Sequence, residues 1–216
     1  MTNTPHILRS YDDALTELTA QTTQIAGMAH SNLLAVYDGL LNRNEAACLR
    51  AIADDEAVNS LERRIDASGI EIMTRYQPVA RDLRRVLASM RVANNIERVS
   101  DEAKNIGRRT RPIILSGFAG GNDLIEPLFT LAIGEFRDAV QAFDTADYTL
   151  AATIRERDIE LDSQYRAAVA NLSDQLAASS KDAKDYLHLL FIARSIERVG
   201  DHAKNIAEET AFLLNR

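Results

Sequence analysis

Two carboxylates four residues apart recur at the same place in two halves of this chain, Glu97 with Asp101 and Glu197 with Asp201. Residues so spaced on a helix have Cβ atoms roughly 5–6 Å apart. Such a pair can bridge one metal ion, or each member can hold one of two neighbouring ions. Asn105 and Asn205 extend each pair by a further turn. Carboxylate and amide oxygens are hard ligands, so Mg2+, Ca2+, Mn2+ and iron suit them, while thiolate-rich zinc sites are excluded. Without a cation, like charges at this spacing repel mildly. Acidic pairs are also common on solvated helix faces, and Lys104 and Lys204 stand where they can form ordinary surface ion pairs with Asp101 and Asp201. The repetition, with asparagine in the same place, favours the metal reading.

The repeat extends beyond the pairs. RVANNIERVSDEAKNI (91–106) and FIARSIERVGDHAKNI (191–206) match at 10 of 16 positions, without a gap, at an offset of 100. Asp55 and Asn59 find counterparts in Asp158 and Asp162 at an offset of 103. An advance of about 100° per residue puts Ala93, Ile96, Val99, Ala103 and Ile106 on one core stripe. Glu97, Asp101 and Asn105 fall on another line, which predicts that they lie on the outer surface of a bundle. On the preceding helix, Ile52, Leu61, Ile65 and Ile72 point inward, and Asp55, Asn59, Glu62 and Asp66 form a polar ridge beside them. Two oxygen-rich ridges can then meet along a seam.

Composition names the scaffold. Ala, Leu, Ile, Glu, Asp and Arg dominate the 216 residues, Pro and Gly number 4 and 9, and Trp is absent. Such side chains lose little freedom in a helix, so an all-α protein is expected. A formal net charge of −7 without a basic block argues against general nucleic-acid affinity. The single cysteine, Cys48, cannot form an internal disulfide, reads as a small packing residue, and fits a reducing cytoplasm. MTNTPHILRSYDD has no signal-peptide pattern, and no apolar run approaches the roughly 20 residues of a spanning helix. Any work at a membrane is therefore expected to be peripheral, from the cytoplasmic side.

Punctuation divides the chain into six helices. The first runs from about Ile7 to Asn42, with Asn42 and Asn44 supplying a turn and a cap. The second covers Glu45 to about Tyr76, and Gln77-Pro78 breaks it, with Pro78 in the first turn of the third. That third helix is expected to stop at Arg111, before Pro112. The glycine-containing stretch that follows reads as a linker, giving a first bundle at 1–112, a linker at 113–121 and a second bundle at 122–216. Asp123 and Glu126 have capping-box spacing, with Pro127 in the first turn. The fourth helix runs to about Asp144, the fifth from about Thr149 to Ala178, and Ser179, Ser180 and Asp182 cap the sixth. Long helices with short connections imply antiparallel neighbours, so the fold expected is two tandem, pseudo-symmetric three-helix bundles.

ERVSD (97–101) and ERVGD (197–201), together with YQPVARDLR (76–84) and ARSIERVGD (193–201), resemble the PhoU family of phosphate-transport accessory proteins over nearly the whole chain. The resemblance implies metal at the E-x-x-x-D surfaces, held in family members as multinuclear clusters. By residue, the candidates are Glu97, Asp101 and Asn105 with Asp55 and Asn59 opposite, and Glu197, Asp201 and Asn205 with Asp158 and Asp162. Iron, manganese, magnesium, calcium and zinc are the metals it leaves open. It further implies a homo-oligomer, with a dimer favoured, and a negative regulator that links the ATPase component of a phosphate ABC transporter to a phosphate sensor histidine kinase.

The chain departs from that pattern in places. SSKDAKDY stands where a second QP turn belongs, His30 replaces an expected acidic residue on the first helix, and His202 adjoins Asp201. His30 is read as a packing residue rather than a ligand. Arg81 and Arg84 have the charge to contact an anion, but Asp82 between them makes ion pairing the simpler reading. An alternative is a dinuclear carboxylate enzyme, which would need Glu-x-x-His motifs facing a bundle core. The nearest spacing is Asp185 to His188, once, and no P-loop or nucleophile–base pair is present, so no catalytic residue is assigned. A metal-free helical adaptor is the third reading.

Overall fold

The computed structural model describes residues 9–214. Among them are six helices and no strand: α1 (Arg9–Leu41), α2 (Glu45–Tyr76), α3 (Ala80–Ser116), α4 (Asn122–Thr145), α5 (Tyr148–Ala178) and α6 (Ala183–Leu213). The start expected for α1 at Ile7 lies outside the described residues. Helices α1, α2 and α3 pack on one another, as do α4, α5 and α6, and the two bundles meet where α3 lies on α6 and α1 on α4.

Apolar spacing builds each bundle twice. The buried positions Thr22, Ile25, Ala26, Ala29, Asn32, Leu33, Val36, Gly39 and Leu40 of α1 recur at an offset of 103 in α4 as Ile125, Leu128, Phe129, Ala132, Glu135, Phe136, Ala139, Ala142 and Phe143. On α3 the stripe of Ala93, Ile96, Val99, Ala103 and Ile106 is buried as its periodicity predicts. Burying large aliphatic or aromatic side chains contributes about 1.5–3 kcal/mol each, so these stripes dominate the stability. Cys48 is fully buried against Gly39, where α1 and α2 approach so closely that a Cβ would collide with its sulfur. Burial pushes that thiol up to about 11, consistent with a packing role.

Helix ends depart from expectation in four ways. Pro78 lies in the connection rather than in a first turn: Gln77 closes α2 in a left-handed conformation, and α3 opens at Ala80, whose φ is +51°. Helix α3 does not stop before Pro112 but continues to Ser116, so 113–116 are helical and the connection is 117–121. Tertiary contacts outweigh the proline there. Ile113 is buried, and Arg43 donates to the Ile114 carbonyl in the last turn (3.1 Å) and to that of Phe118 in the connection (2.8 Å). The Asp123–Glu126 capping box does not form. Gly121 at φ +77° opens α4, Glu126 instead accepts from the Tyr37 hydroxyl, and Pro127 lies within the helix. At α6, Asp182 makes no side-chain cap; it donates its backbone N–H to Ser179 Oγ and accepts a hydrogen bond from that hydroxyl at Oδ2. Asn44 caps α2 as expected, accepting from the Ala47 N–H at 3.1 Å.

Candidate functional site

The seam between α2 and α3 is built around Asp55. On α2 this residue occupies the apolar stripe itself, in line with Cys48, Ala51, Val58, Ile65 and Ile72, and its side chain is only 4% exposed. The ridge expected beside the stripe is corrected in one respect: Asp55 lies on the stripe itself, while it faces α3 along the seam as expected. Lys104 Nζ donates to Asp55 Oδ2 at 2.5 Å and lies 3.5 Å from Asp101 Oδ1. The Ser100 hydroxyl lies 3.5 Å from Asp55 Oδ1, Asn32 Nδ2 donates to Ser100 Oγ at 3.2 Å, and Asn59 Nδ2 donates to Asp55 Oδ2 at 3.3 Å. The hydrogen bond to Asp55, reinforced by its charge, holds the Lys104 amine above the ordinary lysine range. A buried carboxylate is tolerated only when paired and hydrogen-bonded, and this one is both.

Glu97 adds unmet demand. It is mostly buried rather than on an outer surface, and its Oε2 has no hydrogen-bond donor, although the Arg98 guanidinium is 3.5 Å away. Burial, then the charges of Asp101, Glu62 and Asp55, raise its pKa against the opposing effect of Arg98. Asn59 Oδ1 is likewise buried without a donor. The second seam repeats the plan. Asp158 sits in the α5 stripe with Ala151, Ile154 and Leu161, and Lys204 Nζ donates to its Oδ2 at 2.7 Å. Glu197 Oε1 accepts from Arg194 at 2.7 Å, while Glu197 Oε2 is buried without a donor. Its pKa is raised by burial, then by Asp201 and Asp162.

Not every predicted residue joins a seam. Asn105 donates to Glu102, and Asn205 donates to Asn95 of the other bundle, so both turn toward the α3–α6 junction. His202 does the same, with Nδ1 3.2 Å from Asn95 Oδ1, and burial lowers its pKa. His30 packs its ring on Phe136 of α4, 6.5 Å between centroids, in keeping with the packing role read for it. Asp66 and Asp201 are exposed. Asp185 accepts from the Ser116 hydroxyl at 2.8 Å, so the lone Asp-x-x-His spacing faces α3 and not a bundle core.

The donor chemistry suits a hard cation, and each motif glutamate leaves a buried oxygen without a hydrogen-bond donor; on both grounds the residues fit a metal ion. The fit is not that of a closed cage. Among the described residues no three His, Cys, Asp or Glu side chains gather around one point, and lysine amines meet the central aspartates. The cations holding these seams together are Lys104 and Lys204.

Sequence reasoning misses Glu135. It is fully buried in the α4 stripe, neither carboxylate oxygen has a donor, and burial, with Asp158, Glu160 and Asp138 nearby, lifts its pKa to about 7 against the pull of Arg157. The signal for it is a charged residue standing on an apolar face, the same signal that Asp55 and Asp158 give.

The PhoU domain model matches residues 22–110 and 125–210, one segment in each bundle. A Xylella fastidiosa protein named phosphate-specific transport system accessory protein PhoU homolog is 34% identical over 97% of this chain and 87% of its own length. A Caulobacter vibrioides protein of the same name is 33% identical over 98% of this chain and 92% of its own. The crystal structure of PhoU from Pseudomonas aeruginosa superposes with a TM-score of 0.92 at 25% identity, covering 95% of this chain and 99% of the other. PhoU from Streptococcus pneumoniae, at 20% identity, shares the fold with a TM-score of 0.86. With both bundles matched and both carboxylate seams in corresponding places, the chain belongs to the PhoU family.

Proposed function

We propose that this protein is a non-enzymatic, metal-binding negative regulator of phosphate uptake and of the phosphate-starvation response. It couples the ATPase component of a phosphate ABC transporter to a phosphate sensor histidine kinase. The observation that carries the reading is likeness along the whole chain to proteins named as accessories of phosphate-specific transport, with the E-x-x-x-D seam kept in both bundles. No helix among the described residues is long and apolar enough to cross a membrane, which suits a partner that docks on a transporter from the cytoplasm. A second copy of the chain completes the proposed assembly as a dimer.

Metal, in this reading, is held by Glu97, Asp101, Asp55 and Asn59 in one seam and by Glu197, Asp201, Asp158 and Asp162 in the other. When bound, an ion supplies the concentrated positive charge that buried carboxylate oxygens lack. The chain's own residues set the terms. Lys104 and Lys204 neutralise the central aspartates, so an ion must compete with a tethered amine, and α2 and α5 stay docked whether or not it arrives. Docking and occupancy are thereby separable, which suits an adaptor that reports a partner's state.

Deleting the gene and following a phosphate-starvation reporter tests this directly. High reporter expression is expected even in phosphate-rich medium, restored to repression by the wild-type chain. Normal phosphate-dependent expression in the deletion strain would overturn the proposal.

A further inference from the structure

Where α3 crosses α6, a shallow cleft of about 460 Å³ has Arg108, Arg109, His188, Phe191, Arg194 and Arg198 in its lining, with Glu102 as its one carboxylate. Four arginines in one groove are unexpected in a chain of net charge −7. Two of them have structural duties: Arg198 pairs with buried Glu102 at 2.7 Å, and Arg194 with Glu197 at 2.7 Å. The other two do not. No carboxylate among the described residues lies within ion-pair distance of Arg108 or Arg109, and the Arg109 guanidinium lies over the Phe191 ring, 4.3 Å from its centroid. Stacked in that way it is oriented while its N–H edges stay available, the arrangement in which arginine binds planar or tetrahedral oxyanions. His188 Nδ1 is buried in the same cleft without a hydrogen-bond partner.

The internal repeat provides a control within the molecule. At an offset of 100, Arg108, Arg109, Arg194 and His188 correspond to Glu208, Glu209, Asn94 and Ala88. The scaffold is the same on that side of the pseudo-dyad, where Arg98 matches Arg198 and Arg91 pairs with Glu209 at 3.5 Å, so packing does not demand arginine at 108, 109 or 194. Arg108 and Arg109 thus add positive charge at two places that the fold fills with glutamates on the other side.

We infer that the α3–α6 cleft is a binding site for a compact, multiply charged phosphoryl anion, orthophosphate or a short oligophosphate. The volume exceeds that of a single tetrahedral oxyanion and falls within the roughly 300–1,000 Å³ of small-molecule clefts. Arginine forks match phosphoryl oxygens bidentately. A compact ligand suits this short groove better than an acidic helix or strand would. The site lies on the α3–α6 face and uses neither Asp55 nor Asp158. The inference does not depend on the regulatory role: purified protein binds the anion or does not, whatever a deletion strain reports.

Isothermal titration calorimetry of the full chain, in chelator to exclude metal-bridged phosphate, compares orthophosphate, pyrophosphate and tripolyphosphate. Saturable binding that tightens with anion charge and weakens with added salt is expected. Arg108→Gln with Arg109→Gln should weaken it roughly tenfold or more, since each loses a charge-assisted hydrogen bond. Arg91→Gln, on the dyad-related side, should leave it unchanged, and circular dichroism checks that both variants remain helical. Absence of saturable binding, equal binding by the double variant, or binding of a poly-glutamate peptide alone would overturn the assignment.

Discussion

The two bundles keep the same aspartate–lysine pair but surround it differently. In the first, Asn32, Ser100 and Asn59 form a chain of donors and acceptors that reaches Asp55. In the second, the residues at those places are Glu135, Gly200 and Asp162, and the chain of donors is gone. Glu135 is left with two buried oxygens and no donor. The packing partner changes in step, because Val58 of the first bundle corresponds to Leu161 of the second, whose methyl occupies the space a Cβ at Gly200 would need. Duplication has preserved the charged pair that docks α2 on α3 and α5 on α6. The buried polar surroundings have drifted from a hydrogen-bonded network around the aspartate to a carboxyl poised to take up a proton.

Breaking the shared pair should have the largest effect, and an unequal one. Lys104→Met leaves Asp55 buried and unpaired, and is expected to cost about 3–5 kcal/mol of stability in urea denaturation. Lys204→Met should cost roughly 1–2 kcal/mol, because its side chain is 35% exposed and water can take over part of its role. Equal losses would deny the difference between the seams.

Removing the stranded carboxyl comes next. The folded state holds the Glu135 proton up to about pH 7, whereas an ordinary glutamate loses it near 4.5. The native chain therefore binds more protons than the unfolded one in that window, and stability falls as pH rises through it. The shift corresponds to roughly 3 kcal/mol. Glu135→Gln is expected to raise stability at pH 8 by about 2 kcal/mol, to change little at pH 4, and to flatten the profile between. A variant profile parallel to the wild type would refute the assignment.

Transplanting the first bundle's packing should give the smallest change and the sharpest coupling. Gly200→Ser alone overpacks against Leu161 and should cost about 1–2 kcal/mol, most of it recovered when Leu161→Val is added. Additive losses would mean that the two sites do not share the space.

Much of this arrangement is legible in the amino-acid sequence. Scarce proline and glycine, the core stripe of α3 and the offset repeat lead to six helices in two bundles, and the E-x-x-x-D pairs lead to the seams. What escapes depends on tertiary contacts. Pro112 looks like a terminator until Ile113 finds a core position and Arg43 reaches across to the helix end. Asp55 reads as part of the ridge because carboxylates usually face water, though its spacing from Cys48, Ala51 and Val58 already places it on the buried stripe. Asn105 groups with Glu97 by sequence spacing alone, but about 80° of accumulated rotation over eight residues turns it toward α6. The arginine cleft joins residues about 80–90 positions apart and has no local signature.

Whether both E-x-x-x-D seams bind metal is the question on which the regulatory proposal turns. Elemental analysis of purified wild type beside a Glu97→Ala, Asp101→Ala, Glu197→Ala, Asp201→Ala variant tests it most directly. Stoichiometric metal in the wild type, absent from a variant that keeps its helical spectrum, is the predicted result. Equal metal in both proteins, or none in either, would contradict it and leave the lysine and arginine side chains as the cations these seams employ.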